Sequence, residues 1–150
     1  MSLTMIKKKG TNMAIDFSSI NLEMIDLTTN FTPDIFINQG GISFSKRVLE
    51  DLSYPQYVQF GVDVPHKIFA IRVCKGTENK ATQFSKPKAE QSCPLSIGNR
   101  NLREVMVSLI PDYAKDKRYK ITGEYEASSR TMYFDMSSAQ VSSFYKKSAE

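Results

Sequence analysis

One order of elements constrains this chain more than any other feature, because it is written twice. From Gly41 to Cys74 the residues read as strand, short helix, strand, tight turn and strand, and the order recurs from Leu95 to Met136. In the first copy Ile42-Ser43-Phe44 alternates as a half-buried strand does, since successive side chains along a strand point to opposite faces. Ser45 is a good N-cap for a helix over 46–53. In it Val48, Leu49 and Leu52 form an apolar face, with Lys46, Arg47, Glu50 and Asp51 opposite. Pro55 stops that helix, because the residue before a proline avoids the α region. Val58, Phe60 and Val62 then alternate with Tyr57, Gln59 and Gly61. After the turn Asp63–Lys67, the return strand sets Phe69, Ile71 and Val73 on one row and Ile68, Ala70 and Arg72 on the other.

The second copy opens with the strand Leu95-Ser96-Ile97. Asn101 and Glu104 have the spacing of a capping box, in which side chains at the two positions satisfy each other's backbone donors. Leu102, Val105, Met106, Leu109 and Ile110 follow at helical intervals, the clearest amphipathic helix in the chain, ended by Pro111. Tyr119, Ile121, Gly123 and Tyr125 alternate with Lys120, Thr122 and Glu124. Ala127–Arg130 is the turn and 131–136 the return. Residue matching between the copies is poor. Aligning Gly61 with Gly123 inverts the apolar phase, and a one-residue slip restores the phase but loses the glycine match, because a strand has a period of two.

The expected fold is α+β and mainly β, with two β-α-β-β units at 42–76 and 95–136 packed as a β-barrel. A strand-rich N-terminal segment, 1–41, precedes them, with strands at Ala14–Phe17, Leu22–Leu27 and Ile35–Ile37. A turn is expected over 28–34, around Pro33, and another at Asn38–Gly41, where consecutive glycines permit positive φ. Residues 77–94 read as a polar connector with apolar Ala81 and Phe84 and an edge strand inside it. A polar tail, 137–150, carries Phe144-Tyr145, placed to pin a short last helix. At 150 residues the whole is long enough for one compact domain with a real core.

The pattern of apolar positions from Ile42 to Val73 resembles the DNA-binding unit of AbrB-type transition-state regulators and related antitoxins. Ile42-Ser43-Phe44-Ser45-Lys46 matches the strand and helix entry, and Leu49 and Leu52 the helix core. Tyr57-Val58-Gln59-Phe60 through Ile71-Arg72-Val73 matches the closing hairpin. The resemblance implies a swapped-hairpin β-barrel, which in that family usually takes two chains. With the unit duplicated at 95–136, one chain supplies both halves. It also implies DNA as a partner.

Composition limits function without assigning it. Twenty basic residues against sixteen acidic give a net charge of +4, and no run of like charge exceeds Lys7-Lys8-Lys9. That balance permits nucleic-acid binding and does not by itself argue for it. No apolar run approaches the roughly 20 residues that span a bilayer, and the N-terminus lacks the apolar core of a signal peptide. A cytoplasmic protein with no membrane partner is expected. Cys74 and Cys93 are too few for a disulfide scaffold and read as reduced thiols. Nucleotide-loop, zinc-protease and nucleophile-elbow motifs are absent, so no catalytic residue, metal or cofactor is expected. His66 sits in a turn near Asp63, and Glu124 and Glu126 share one strand face; exposed, solvated side chains are the simpler reading of both.

Basic residues carry the functional expectation. Lys46 and Arg47 open the first helix, Arg100 and Arg103 flank the opening of the second, and Arg72 lies on a strand. Cations at a helix N-terminus oppose the helix dipole, so their presence favours an anionic partner. The leading expectation is therefore a small non-enzymatic protein that binds DNA through Lys46, Arg47, Arg72, Arg100 and Arg103. The alternative is a protein-interaction module with neither nucleic-acid nor catalytic role.

Overall fold

The computed structural model describes residues 15–25 and 32–143 of the 150-residue chain. Among them the chain forms β1 (Asp34–Ile37), β2 (Ile42–Phe44), α1 (Lys46–Asp51), β3 (Tyr57–Asp63) and β4 (Ile68–Cys74). It continues with β5 (Thr82–Gln83), β6 (Leu95–Ile97), α2 (Arg100–Ser108), β7 (Lys117–Glu126), β8 (Thr131–Asp135) and β9 (Gln140–Ser143). The element order expected at 42–76 and 95–136 is therefore present in both places. All strand pairs are antiparallel in one sheet of order β5-β3-β4-β8-β7-β1-β2-β6, and β9 follows β8 along the same edge of β7. The class is mainly β, as expected, in the form of an open, curled half-barrel with β5 and β6 at its ends.

The alternation in the sequence decides which face turns inward. Val58 and Phe60 of β3, Phe69 and Ile71 of β4, Met132 and Phe134 of β8, Tyr119 and Ile121 of β7, Ile35 and Ile37 of β1, and Ile42 and Phe44 of β2 form the concave face. Nearly all are fully buried. Val48, Leu49 and Leu52 of the α1 segment and Met106, Leu109 and Ile110 of the α2 segment join the same core. Phe84, just after β5, sits edge-on to Phe44 at 5.3 Å and to Phe60 at 6.0 Å. Those partners lie near opposite ends of the sheet, so this one ring bridges the open side.

The curl is set within β7. Its residues 119–122 pair with β1 and residues 123–126 with β8. At the changeover Gly123 donates its N–H to the Pro33 carbonyl at 2.8 Å. A Cβ there would lie 2.5 Å from the Phe134 ring, so only glycine lets the half-sheets lap this closely. Beside it the buried Asp34 carboxylate accepts from the Thr122 hydroxyl at 2.6 Å and the Thr32 hydroxyl at 2.9 Å.

Several local expectations need correction. The first helix ends at Asp51 rather than 53, and Ser53 and Tyr54 leave it with positive φ. Ser45 holds the N-cap position, but its hydroxyl accepts from the Asp34 N–H at 3.0 Å instead of capping the helix, because β1 needs that bond. The second helix is capped by Asn99, whose side chain accepts from the Leu102 N–H at 2.9 Å, and not by Asn101. The helix starts earlier than the capping-box spacing indicates. The N-terminal segment is not strand-rich over residues 15–25. Asp16 accepts from Ser18 to cap a 3-10 turn at Phe17–Ser19, and no strand forms there. The connector contains its expected edge strand, β5, while the start of the polar tail is drawn into β9. Ala14, 26–31 and the Phe144-Tyr145 helix lie outside the described residues.

Candidate functional site

The five basic residues expected to bind an anion do not occupy one place. Arg47 donates to Asp51 one helical turn on at 2.8 Å. Arg100 does the same with Glu104 at 3.4 Å, on an exposed surface. Arg103 is drawn inward, where its Nη2 donates to the Asn38 carbonyl at 2.6 Å and to the Tyr113 hydroxyl at 2.8 Å. Its Nε is buried without a hydrogen-bond partner among the described residues, and through Asn38 this guanidinium fastens α2 to the turn between β1 and β2. Arg72 points outward from β4 and donates to Gln59 at 3.2 Å. α1 begins beside Asp34, at one end of β1, whereas Arg103 of α2 binds Asn38, just past the other. Four residues of strand span roughly 13 Å.

Lys46 is placed differently from the other four. It lines a depression of about 500 Å³ on the convex side of the sheet, with Phe36 of β1, Ser43 of β2, Lys88 and Cys93 of the connector, and Arg118 of β7. Ser45, Tyr54, Gln91 and Pro94 complete the wall, and no carboxylate lines it among the described residues. Outward placement follows from strand phase: Phe36 and Ser43 alternate with buried Ile35, Ile37, Ile42 and Phe44, and Arg118 with buried Tyr119. The Arg118 guanidinium stacks 4.7 Å above the Phe36 ring, which fixes a flexible cation at the rim. Glu50 approaches Lys88 from outside the lining at 4.0 Å, an exposed pair of little strength. Burial pushes the Cys93 thiol above its usual range, opposed by the Lys46 ammonium and reinforced by Glu50. Three cations, an aromatic face and neutral donors make a site suited to a phosphate or another multivalent anion.

Sequence reading found Lys46 and missed Lys88 and Arg118. A signal for the latter is present: Arg118 and Lys120 alternate with Tyr119 and Ile121, which makes one face of β7 basic. Lys88 meets them only through the path of the connector, which leaves no periodic trace. Of the other candidate chemistry, Asp63 and His66 form a pair at 2.9 Å on an exposed turn. That hydrogen bond holds the Asp63 carboxyl below its usual range. Glu124 and Glu126 point outward from β7, and Glu126 accepts from Ser129. Among the described residues no cluster of histidine, cysteine and acidic side chains could hold a metal. Nor is any described helix long and apolar enough to cross a membrane.

No protein-family model matches this chain, and no curated protein or solved structure gives a match to it.

Proposed function

We propose that this protein is a non-enzymatic DNA-binding protein that holds the phosphate backbone at the depression formed by Lys46, Lys88 and Arg118. The observation that carries the reading is the convergence of these cations, from three distant chain segments, in a hollow lined by no carboxylate among the described residues. Arg47 stands at the head of the same helix as Lys46 and adds to the local field; Arg72, Arg100 and Arg103 lie elsewhere and have no part in the contact.

The same proposal extends to architecture: the chain carries two copies of a β-α-β-β unit like that of the AbrB-type regulators, joined as the two halves of one half-barrel. The hairpins support it. Turns 64–67 and 127–130 are equal in length, and each ends on a residue of positive φ, Lys67 and Arg130. Aligned on those turns, Phe60 falls on Gly123 and Gly61 on Glu124, so the inward phase is kept and the glycine match is lost. The contacts between units are β2 with β6 and β4 with β8.

Titration of a fluorescent DNA duplex by anisotropy over a salt series tests the binding. Three phosphate contacts give a slope of log affinity against log salt of about −3. The Lys88→Ala, Arg118→Ala double variant is expected to bind more weakly and to flatten that slope by roughly 2. Absence of binding at low salt, or a slope unmoved by the double variant, refutes the assignment.

A further inference from the structure

The large apolar side chains left exposed among the described residues are not spread evenly. Six of them, Ile15, Phe17, Ile20, Leu22, Met24 and Ile25, belong to the one segment 15–25. Three more, Val62, Val64 and Tyr133, gather around the β3–β4 hairpin and β8; only Val105 and Val141 stand apart. Scattered apolar residues on a surface need no explanation, whereas contiguous ones mark a contact.

Val62 and Tyr133 of the second group line a groove of about 600 Å³ whose floor is on the convex face, on other strands than the cation site. Its floor lies where the outward side chains are smallest. Gly61 faces Ala70 across the β3–β4 ladder, and Ala70 faces Tyr133 across the β4–β8 ladder. A Cβ on Gly61 would touch nothing within 4 Å. The loop after β4 forms one wall, held by Gln59 donating to the Asn79 carbonyl at 2.8 Å. Arg72 and Lys80 bring positive charge to that wall, while Asp63, the one carboxylate among the described lining residues, is occupied by His66.

Segment 15–25 is complementary in both respects. It is apolar at six positions and carries Asp16 and Glu23 with no basic residue. It does not lie in the groove of its own chain, since Phe17 is 80% and Met24 77% exposed. We propose that the protein forms a two-fold dimer in which residues 15–25 of each copy dock into the groove of the other, across Gly61, Ala70 and Tyr133. Such a contact is isologous: the same arm and groove are used twice, and the assembly closes. Arm hydrophobics cover the floor, and Asp16 and Glu23 come within range of Arg72 and Lys80. Because the cation depression is on the other half of the sheet, this dimer is independent of DNA binding and leaves both phosphate sites open.

The test is the mass of the full chain by light scattering over a dilution series. Twice the chain mass is expected at high concentration, falling towards the monomer on dilution. The Phe17→Asp, Leu22→Asp variant and the Gly61→Glu variant are each expected to be folded monomers, since the former residues are exposed and the latter has open space above it. Tyr133→Glu supplies a second groove variant. Mixing Gly61→Glu protein, whose arm is intact, with Phe17→Asp, Leu22→Asp protein, whose groove is intact, is expected to restore a dimer through one docked arm. A wild-type chain that stays monomeric at every concentration overturns the proposal. So does a dimer that survives both groove variants, or a mixture that fails to associate.

Discussion

Two glycines of the sheet look alike in the sequence, each one member of an alternating strand, and they serve opposite purposes. At Gly123 a Cβ would meet the buried Phe134 ring at 2.5 Å, and the ring has no room to retreat. Gly123→Ala is expected to lower stability by about 1–3 kcal/mol, the usual cost of forcing an extra methyl into a packed core. At Gly61 the same methyl enters open space, and Gly61→Ala is expected to change stability by less than about 0.5 kcal/mol. Thermal melts of the two variants check the contrast. Arg103 teaches the same lesson about charge. Its place at a helix entry suggests an anion partner, yet the side chain is committed to Asn38 and Tyr113. A cation's position in the sequence does not tell whether its guanidinium faces solvent or the body of the protein.

At the level of elements, the apolar periods were legible and the ends were not. The rows Phe69-Ile71-Val73 and Val58-Phe60 face the core or its rim as their alternation requires, whereas Val62, at the end of its row, is exposed. Of the expected stripe, Met106 is buried within α2 and Leu109 and Ile110 just past its end at Ser108, short of Pro111, while Val105 remains exposed. Helix ends depend on which side chain reaches a backbone donor first, and neighbouring asparagines compete for that position. Asn99→Ala is therefore expected to cost about 1 kcal/mol, the ordinary worth of an N-cap. Asn101→Ala, on an exposed helix surface, is expected to cost less than about 0.5 kcal/mol. Equal losses in urea unfolding would contradict the assignment of the cap to Asn99. Ser45 shows why a good capping residue can fail to cap: its hydroxyl serves the neighbouring strand at Asp34 instead.

For the molecule as a whole, the decisive feature is how an open sheet protects its concave face. Its terminal strands β5 and β6 are very short, which limits the exposed edge. The gap is covered by α1, α2 and the connector, with Phe84 as the side chain that touches both sides. Phe84→Ala is expected to cost about 3–5 kcal/mol, in the range of a buried aromatic truncation. The loss should appear in a single cooperative transition, because both halves of the sheet share this contact. A small loss, or a transition split in two, would show that the halves hold their cores separately.

What the sequence determined by itself is the set of local choices: which residues are apolar, their period of two or 3.6, and the repeated order of strand, helix and hairpin. These follow from side-chain direction along the backbone, which neighbours in sequence decide. What the tertiary structure alone decided is which distant segments meet. The pairing of β2 with β6 and β4 with β8, the lap at Gly123 and the bridge by Phe84 depend on contacts across tens of residues. The candidate site belongs to this second kind. Lys46 announces itself at a helix entry, but Lys88 and Arg118 join it only when β1, β2, β7 and the connector are brought side by side. The order of strand, helix and hairpin is legible, then, because it is local, and the candidate site had to wait for the fold because it is assembled from parts that the chain keeps far apart.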